Sequence, residues 1–381
     1  MFNGHQRTKA FALFGTVAGL GITLGPTISG LLLDSLGWQY IFWMHAIALF
    51  LVLMVSGAIP SDKAQGGSIK QVDLLGSIFF IGSIFVWMLA LSKGYEWGWQ
   101  SRSILICLIG GAICFVAFII RVKSATYPVL DLDLLRNHKF LGLILVPVVA
   151  SFTFVTLLTY FPTYLTGSMQ LSASSSGLIM LFLTAPVLVC PLVAGKLSAK
   201  GINTNLLMYL SVFCMIAGAA LLVAVIKNDI TLIGIAAGLV LIGIGMGLSA
   251  GLVDGQALSC VSENEVGMAA GLLNTFRLGS EAIAVAAYGS LLSSIVSKIV
   301  PDALHGDNSM SAESWVNAIS SGSFAEFGQN TSLMEKLIAI YNEAFVITNI
   351  TLVLVGTAFT LLVIFYLNRD ARYPQGEANN L

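Results

Sequence analysis

Arg277 and Glu281 stand one helical turn apart inside the apolar run 267–292, where ionisable groups are hardest to keep. A charge at the centre of a membrane helix costs about 2.5–3.5 kcal/mol on insertion scales. The i, i+4 spacing puts both on one face, where they can neutralise each other. Such a pair either orients the helix or couples a proton, and coupling requires that the pair open so that Glu281 can exchange its proton. Asp254, at the end of the preceding run, reads as a solvated helix end or as an acid at a cavity mouth. Thr153, Thr156, Tyr160 and Thr163 recur at three, four and three residues, which makes one polar stripe along an apolar helix. The stripe either lines a cavity for bulky amphipathic molecules or consists of hydroxyls bonded back to their own helix.

Glycines add packing surfaces. Gly243, Gly247, Gly251 and Gly255 are four residues apart and leave a flat groove along one helix face, a ridge for packing or for rocking one helix group on another. Near the start, Gly21 and Gly25 precede Pro26, Ser29 and Gly30. A neighbouring helix can approach the backbone closely at the two glycines, and Pro26 bends the helix that carries them. No enzyme constellation emerges. His5, His45, His138 and His305 lie far apart and suggest no metal site, and Cys107, Cys114, Cys190, Cys214 and Cys260 read as small packing residues. The glycine-rich stretches do not follow strands, so they are not phosphate loops.

These residues need long apolar elements to position them. The chain is 57% hydrophobic and 10% charged, with mean hydropathy +0.89, whereas soluble domains carry about 25% charge. It is therefore an integral, multi-pass membrane protein. A net charge of −1 argues against a nucleic-acid or polybasic membrane-surface role. Residues 1–9 are polar, and the apolar run behind them is too long for a signal core. Runs at 10–33, 39–59, 74–92, 103–121, 140–165, 175–195, 205–226, 231–253, 267–292 and 343–367 predict about ten spanning helices, all too long for barrel strands.

Lys and Arg set the expected orientation. One set of connections holds Arg7, Lys9, Lys63, Lys70, Arg121, Lys123, Arg136, Lys139, Lys196, Lys200, Arg369 and Arg372, against Lys93, Arg102, Lys227, Lys298 and Lys336 on the other. Both termini are thus expected in the cytoplasm, in a plasma or bacterial inner membrane. Residues 121–139 read as a charged cytoplasmic connector. Residues 293–342 read as an external acidic loop with Asp302, Asp307, Glu313, Glu326 and Glu335, whose Trp315, Phe324 and Phe327 lie partly on the membrane interface. Asn330-Thr-Ser332 is a glycosylation sequon of little weight.

The segment Gly21-xxx-Gly25-Pro26-xx-Ser29-Gly30, followed by Trp38-Gln-Tyr-Ile-Phe42, resembles the antiporter motif of the major facilitator superfamily, in its 14-helix drug:proton antiporter branch. The resemblance extends to Arg7 and Ala10 before the motif, Asp73-xx-Gly76, Trp97-Gly-Trp99, Pro128-Val-Leu-Asp-Leu132 and Tyr160-Phe-Pro162-xx-Leu165. Ala12 and Ser29 replace glycines of the motif's long form, and His45-Ala46 stands where the family has an asparagine shortly before a proline.

The resemblance implies an all-α polytopic major facilitator fold whose amino-terminal bundle is incomplete, lacking four helices. Residues 1–59 are then the last two helices of that bundle, and 60–139 two inserted helices and the connector. Residues 140–367 are the six-helix carboxy-terminal bundle, and 368–381 a cytoplasmic tail. It further implies proton-coupled export of amphipathic drugs or toxic compounds by alternating access, driven by a proton gradient without a cofactor, with the bilayer, protons and a small amphipathic substrate as partners. The alternatives are a permease for a defined metabolite such as an amino acid or siderophore, and a membrane fragment that needs its missing four-helix segment to transport.

Overall fold

The computed structural model describes residues 5–57, 73–125, 128, 130, 132–228, 231–262, 265–303, 311–324 and 330–372, without the side chains of 5–15, 132–133, 302–303 and 370–372. The side chains of His5, Arg7, Ala10, Ala12 and Asp302, the residues Lys63, Lys70, Asp131, His305, Asp307, Glu326 and Phe327, and the tail beyond 372 lie outside that description. All regular structure among the described residues is helical. The helices are α1 (His5–Ser35), α2 (Gln39–Ser56), α3 (Leu74–Trp97), α4 (Arg102–Ser124), α5 (His138–Ala150), α6 (Thr156–Gly167), α7 (Ala173–Ala199), α8 (Thr204–Asn228), α9 (Leu232–Ser249), α10 (Leu252–Ser259), α11 (Val266–Ala303), α12 (Ala312–Ser320) and α13 (Thr331–Arg372). A 3-10 turn at Leu132–Arg136 leads into α5, and a π-helical segment, Ser151–Val155, joins α5 to α6.

Among the described residues, ten segments are long and apolar enough to cross a membrane, in agreement with the ten runs in the sequence. Two are composite: α5 to α6 forms one span, His138–Gly167, and α9 with α10 forms another, Leu232–Ser259. Because lipid offers backbone groups no partner, six helix starts are capped by side chains of the chain itself. Asp73, Ser101, Asn137, Ser172, Thr231 and Ser311 each accept from the amide three residues on, at 3.0–3.2 Å. Asp73 also accepts from Arg121 Nε at 2.9 Å, which ties the start of α3 to the end of α4. The Gly76 amide first, and then Arg121, hold the Asp73 carboxyl below its ordinary range against the opposing effect of burial.

The span His138–Gly167 is the most enclosed, with 72% of its apolar window buried, whereas α2 buries none of its own. The first is therefore the axis of the bundle, and the second a peripheral helix. Around that axis lie two apolar clusters. One gathers Phe161, Tyr164, Tyr288, Tyr341 and Phe345, and the other Phe140, Ile144, Met208, Leu272 and Leu367. The region expected to be a loop at 293–342 is largely helical: α11 continues to Ala303, α12 follows, and α13 begins at Thr331. Trp315 and Phe324 do not lie on an interface either; they are 2% and 1% exposed and join the first cluster. Hydropathy missed these turns because they are polar on one side and pack through the other.

Candidate functional site: a charged cavity walled by α1, α5, α7, α9, α10 and α11

Helix α9 ends where Gly251 takes φ +78°, a conformation glycine reaches without penalty. The chain restarts as α10, and this break turns Asp254 toward α11. Arg277 Nη2 donates to both oxygens of Asp254, at 2.9 and 3.0 Å. The side chains are only 28% and 21% exposed, so the pair is substantially removed from water. Arg277 Nη1 also approaches Asn274 Oδ1 at 3.4 Å. The pairing inferred from spacing is thereby corrected. Arg277 is joined to Asp254, and no ion pair or hydrogen bond joins Glu281 to any described residue. Asp254 is equally not a solvated helix end.

All three line a cavity of about 270 Å³. Its remaining walls are apolar or small: Ala18, Gly19 and Ile22 of α1, Pro147 and Ala150 of α5, Val187 of α7, and Met246 and Ser249 of α9. One carboxylate without a hydrogen bond or ion pair of its own thus faces an apolar chamber beside the Arg277–Asp254 pair. Such a chamber can hold an amphipathic molecule and can exchange a proton at Glu281 without first breaking a contact there.

The hydroxyl stripe does not form this wall. Thr153 and Thr156 are 1% and 0% exposed and point into helix packing. Thr153 Oγ1 donates to Val149 O at 2.8 Å, and Thr156 Oγ1 lies 3.5 Å from Thr153 O. Tyr160 stacks on Tyr288 with centroids 4.1 Å apart and donates to Val285 O at 2.9 Å. Thr163 faces a separate groove beside α1. The π-helical segment rotates the helix beyond it, so positions that share a face in an ideal helix do not share one here. Ser151, within that segment, is the hydroxyl sequence reasoning missed. It bonds Ser280 across to α11 at 2.8 Å, one residue from Glu281.

The glycines divide in the same way. A Cβ at Gly243 would meet Leu183 O at 2.2 Å and one at Gly247 would meet Pro186 O at 2.8 Å, so both press on α7. Gly251 makes the break, and nothing described lies within 4 Å of a Cβ at Gly255. The ridge therefore stops at the helix break.

In α1, nothing described lies within 4 Å of a Cβ at Gly21 or Gly25 either; with Pro26, Ser29 and Gly30 the motif borders an open groove. The close approach between α1 and α7 occurs at Gly19, Gly30 and Gly177 instead. A Cβ at Gly30 would lie 2.4 Å from Ala173 O. Thr23 Oγ1 donates to Thr184 O at 2.8 Å, Thr27 Oγ1 donates to Gly177 O at 3.1 Å, and Asp34 accepts from the Ser174 amide at 2.7 Å.

Ten apolar spans, the most enclosed of them His138–Gly167, with an ion pair and a further carboxylate in a chamber between helices, define a multi-pass membrane protein. The family profile described as Major Facilitator Superfamily matches residues 1–285, and the chain belongs to that family. It is 27% identical to the multidrug transporter protein MdtP of Bacillus subtilis over 307 residues, 80% of this chain and 56% of that protein. It is 30% identical to an uncharacterized MFS-type transporter, YvkA, of the same organism over 295 residues, 75% of this chain and 61% of that one. It is 27% identical to the multidrug resistance protein Stp of Mycobacterium tuberculosis over 297 residues, 77% of this chain and 54% of that protein. The chain thus spans a little over half the length of these relatives.

Proposed function

We propose that this chain acts in proton-coupled export of amphipathic drugs or other toxic compounds by alternating access, powered by a proton gradient without a cofactor. The observation that carries the reading is Glu281, a carboxylate with no hydrogen bond or ion pair of its own in an otherwise apolar chamber beside the Arg277–Asp254 pair. Relatives that bear multidrug transporter or resistance names support the substrate class. The asymmetry of Lys and Arg supports a cytoplasmic location for both termini in a plasma or bacterial inner membrane. That α2 buries no residue and that nothing described lies against Gly21 or Gly25 supports a transporting unit with helices beyond the ten described here.

The test follows ethidium efflux under an imposed pH gradient in cells that make this chain alone, the chain together with the first four helices of a relative, or neither. Efflux above the empty control in the second case, lost with Glu281→Gln, supports the reading. An active carrier whose proton dependence survives Glu281→Gln assigns that residue to structure. If no form exceeds the control, export of this dye is excluded.

A further inference from the structure

Two cavities lie about one helical turn apart along α11. The charged chamber ends there at Glu281, and a polar cavity of about 290 Å³ begins at Ala286 and Gly289. On the facing span the same division falls between Val155, in the wall of the chamber, and Tyr160, in the wall of the polar cavity. Four to five helical residues cover only about 6–8 Å. The polar cavity reaches the surface, since Ser92, Glu96, Glu313 and Asn317 in its wall are exposed.

Tyr160 fills the space between the two. Glu281, Val285 and Gly289 follow at four-residue spacing and so share one face of α11. Tyr160 Oη donates to Val285 O at 2.9 Å, midway along that face. Gly289 makes room for it, because a Cβ there would lie 2.8 Å from the Tyr160 hydroxyl. The ring rests on Tyr288, with centroids 4.1 Å apart and planes 13° from parallel. That seat is fixed: Tyr288 is 0% exposed, and its hydroxyl accepts from Asn349 Nδ2 at 3.3 Å. The tip of Tyr160 is held by one hydrogen bond, to a carbonyl that water can serve nearly as well.

We infer that protons reach Glu281 from the polar cavity through a passage between α6 and α11, and that Tyr160 is its stopper. The inference rests on the proposed coupling role of Glu281. A proton leaves water in the polar cavity and is taken by the Glu281 carboxylate, with no ion pair to break, since Arg277 is held by Asp254. A turned tyrosine admits water and not an amphipathic molecule. Proton and substrate therefore enter by different routes, and the proton's does not require α1 to part from α7.

In the test, the full chain has its five cysteines replaced by alanine and carries Glu281→Cys as reporter. It is held in nanodiscs and exposed to silver ion, a water-sized thiol reagent. Denaturation and labelling with a fluorescent maleimide then count the thiols left unreacted. Tyr160→Ala should speed the silver reaction about tenfold, and Tyr160→Phe, which loses only the hydrogen bond, about threefold. Gly289→Ala pushes the hydroxyl off Val285 and should also speed it, but not in a Tyr160→Phe background, where no hydroxyl remains to push. Loosened packing would not give that non-additivity. A second reporter, Thr153→Cys, sits beside Gly356 of α13 and should stay slow throughout. The inference is overturned if Tyr160→Ala leaves the Glu281→Cys rate unchanged or speeds both reporters alike. The assay uses neither dye nor gradient, so export can fail while the passage stands, and the reverse.

Discussion

At the scale of single residues, what matters is which carboxylate Arg277 chooses. Within one helix, Glu281 is one turn away, yet Asp254 reaches Arg277 Nη2 with both oxygens at 2.9 and 3.0 Å. Breaking a buried ion pair strands one charge in a poorly solvated place. Asp254→Asn or Arg277→Gln alone should therefore lower stability by about 1–3 kcal/mol, the cost of an unsatisfied polar group discounted for the cavity's remaining access to water. The double variant removes both charges and should recover part of that loss. Glu281→Gln breaks no pair and should leave the unfolding temperature near that of the parent. Thermal unfolding in detergent reads all four; a Glu281→Gln loss as large as that of Asp254→Asn would restore the pairing suggested by spacing.

At the scale of elements, contacts rather than periodicity decide which glycines matter. Gly243→Ala drives a methyl toward Leu183 O, 2.2 Å from its ideal position, and α7 must move to admit it. Overpacking of this kind typically costs about 1–3 kcal/mol. Gly255→Ala meets open space in the interior of α10, where alanine gains about 0.5–1 kcal/mol of helix propensity over glycine. The two substitutions should thus move the unfolding temperature in opposite directions, and a shared direction would put them on one ridge after all. The four-residue repeat made them look equivalent, because sequence spacing assumes an unbroken helix. Among the described residues that assumption fails at Gly251 and in the segment Ser151–Val155, and both failures fall at the walls of the charged cavity. The ten spans were legible because twenty apolar residues in a row admit few other fates. The partner of Arg277 was not, because a local bend set by one positive φ chose it. The helical content of 293–342 was hidden for another reason: its apolar residues pack against a tyrosine cluster that only the folded bundle assembles.

At the scale of the whole molecule, α1 is the seam. It packs along α7 through Gly19, Gly30 and Gly177, with three interhelical hydrogen bonds from side chains at Thr23, Thr27 and Thr184, and its end is held where Asp34 accepts from Ser174 at the start of α7. A carboxylate at a helix N-terminus is favoured by the exposed amides there. The charged cavity is walled by the same α1 together with α5, α7, α9, α10 and α11, so under the proposed alternating access this seam is the boundary expected to part. Cysteines at Asp34 and Ser174 can lock it. In a carrier that transports, oxidation of Asp34→Cys with Ser174→Cys should stop dye efflux, and reductant should restore it, while either single variant keeps working through the cycle. Dye efflux that continues at the parental rate in fully cross-linked protein would mean that α1 and α7 travel as one body, and the moving boundary would then lie elsewhere.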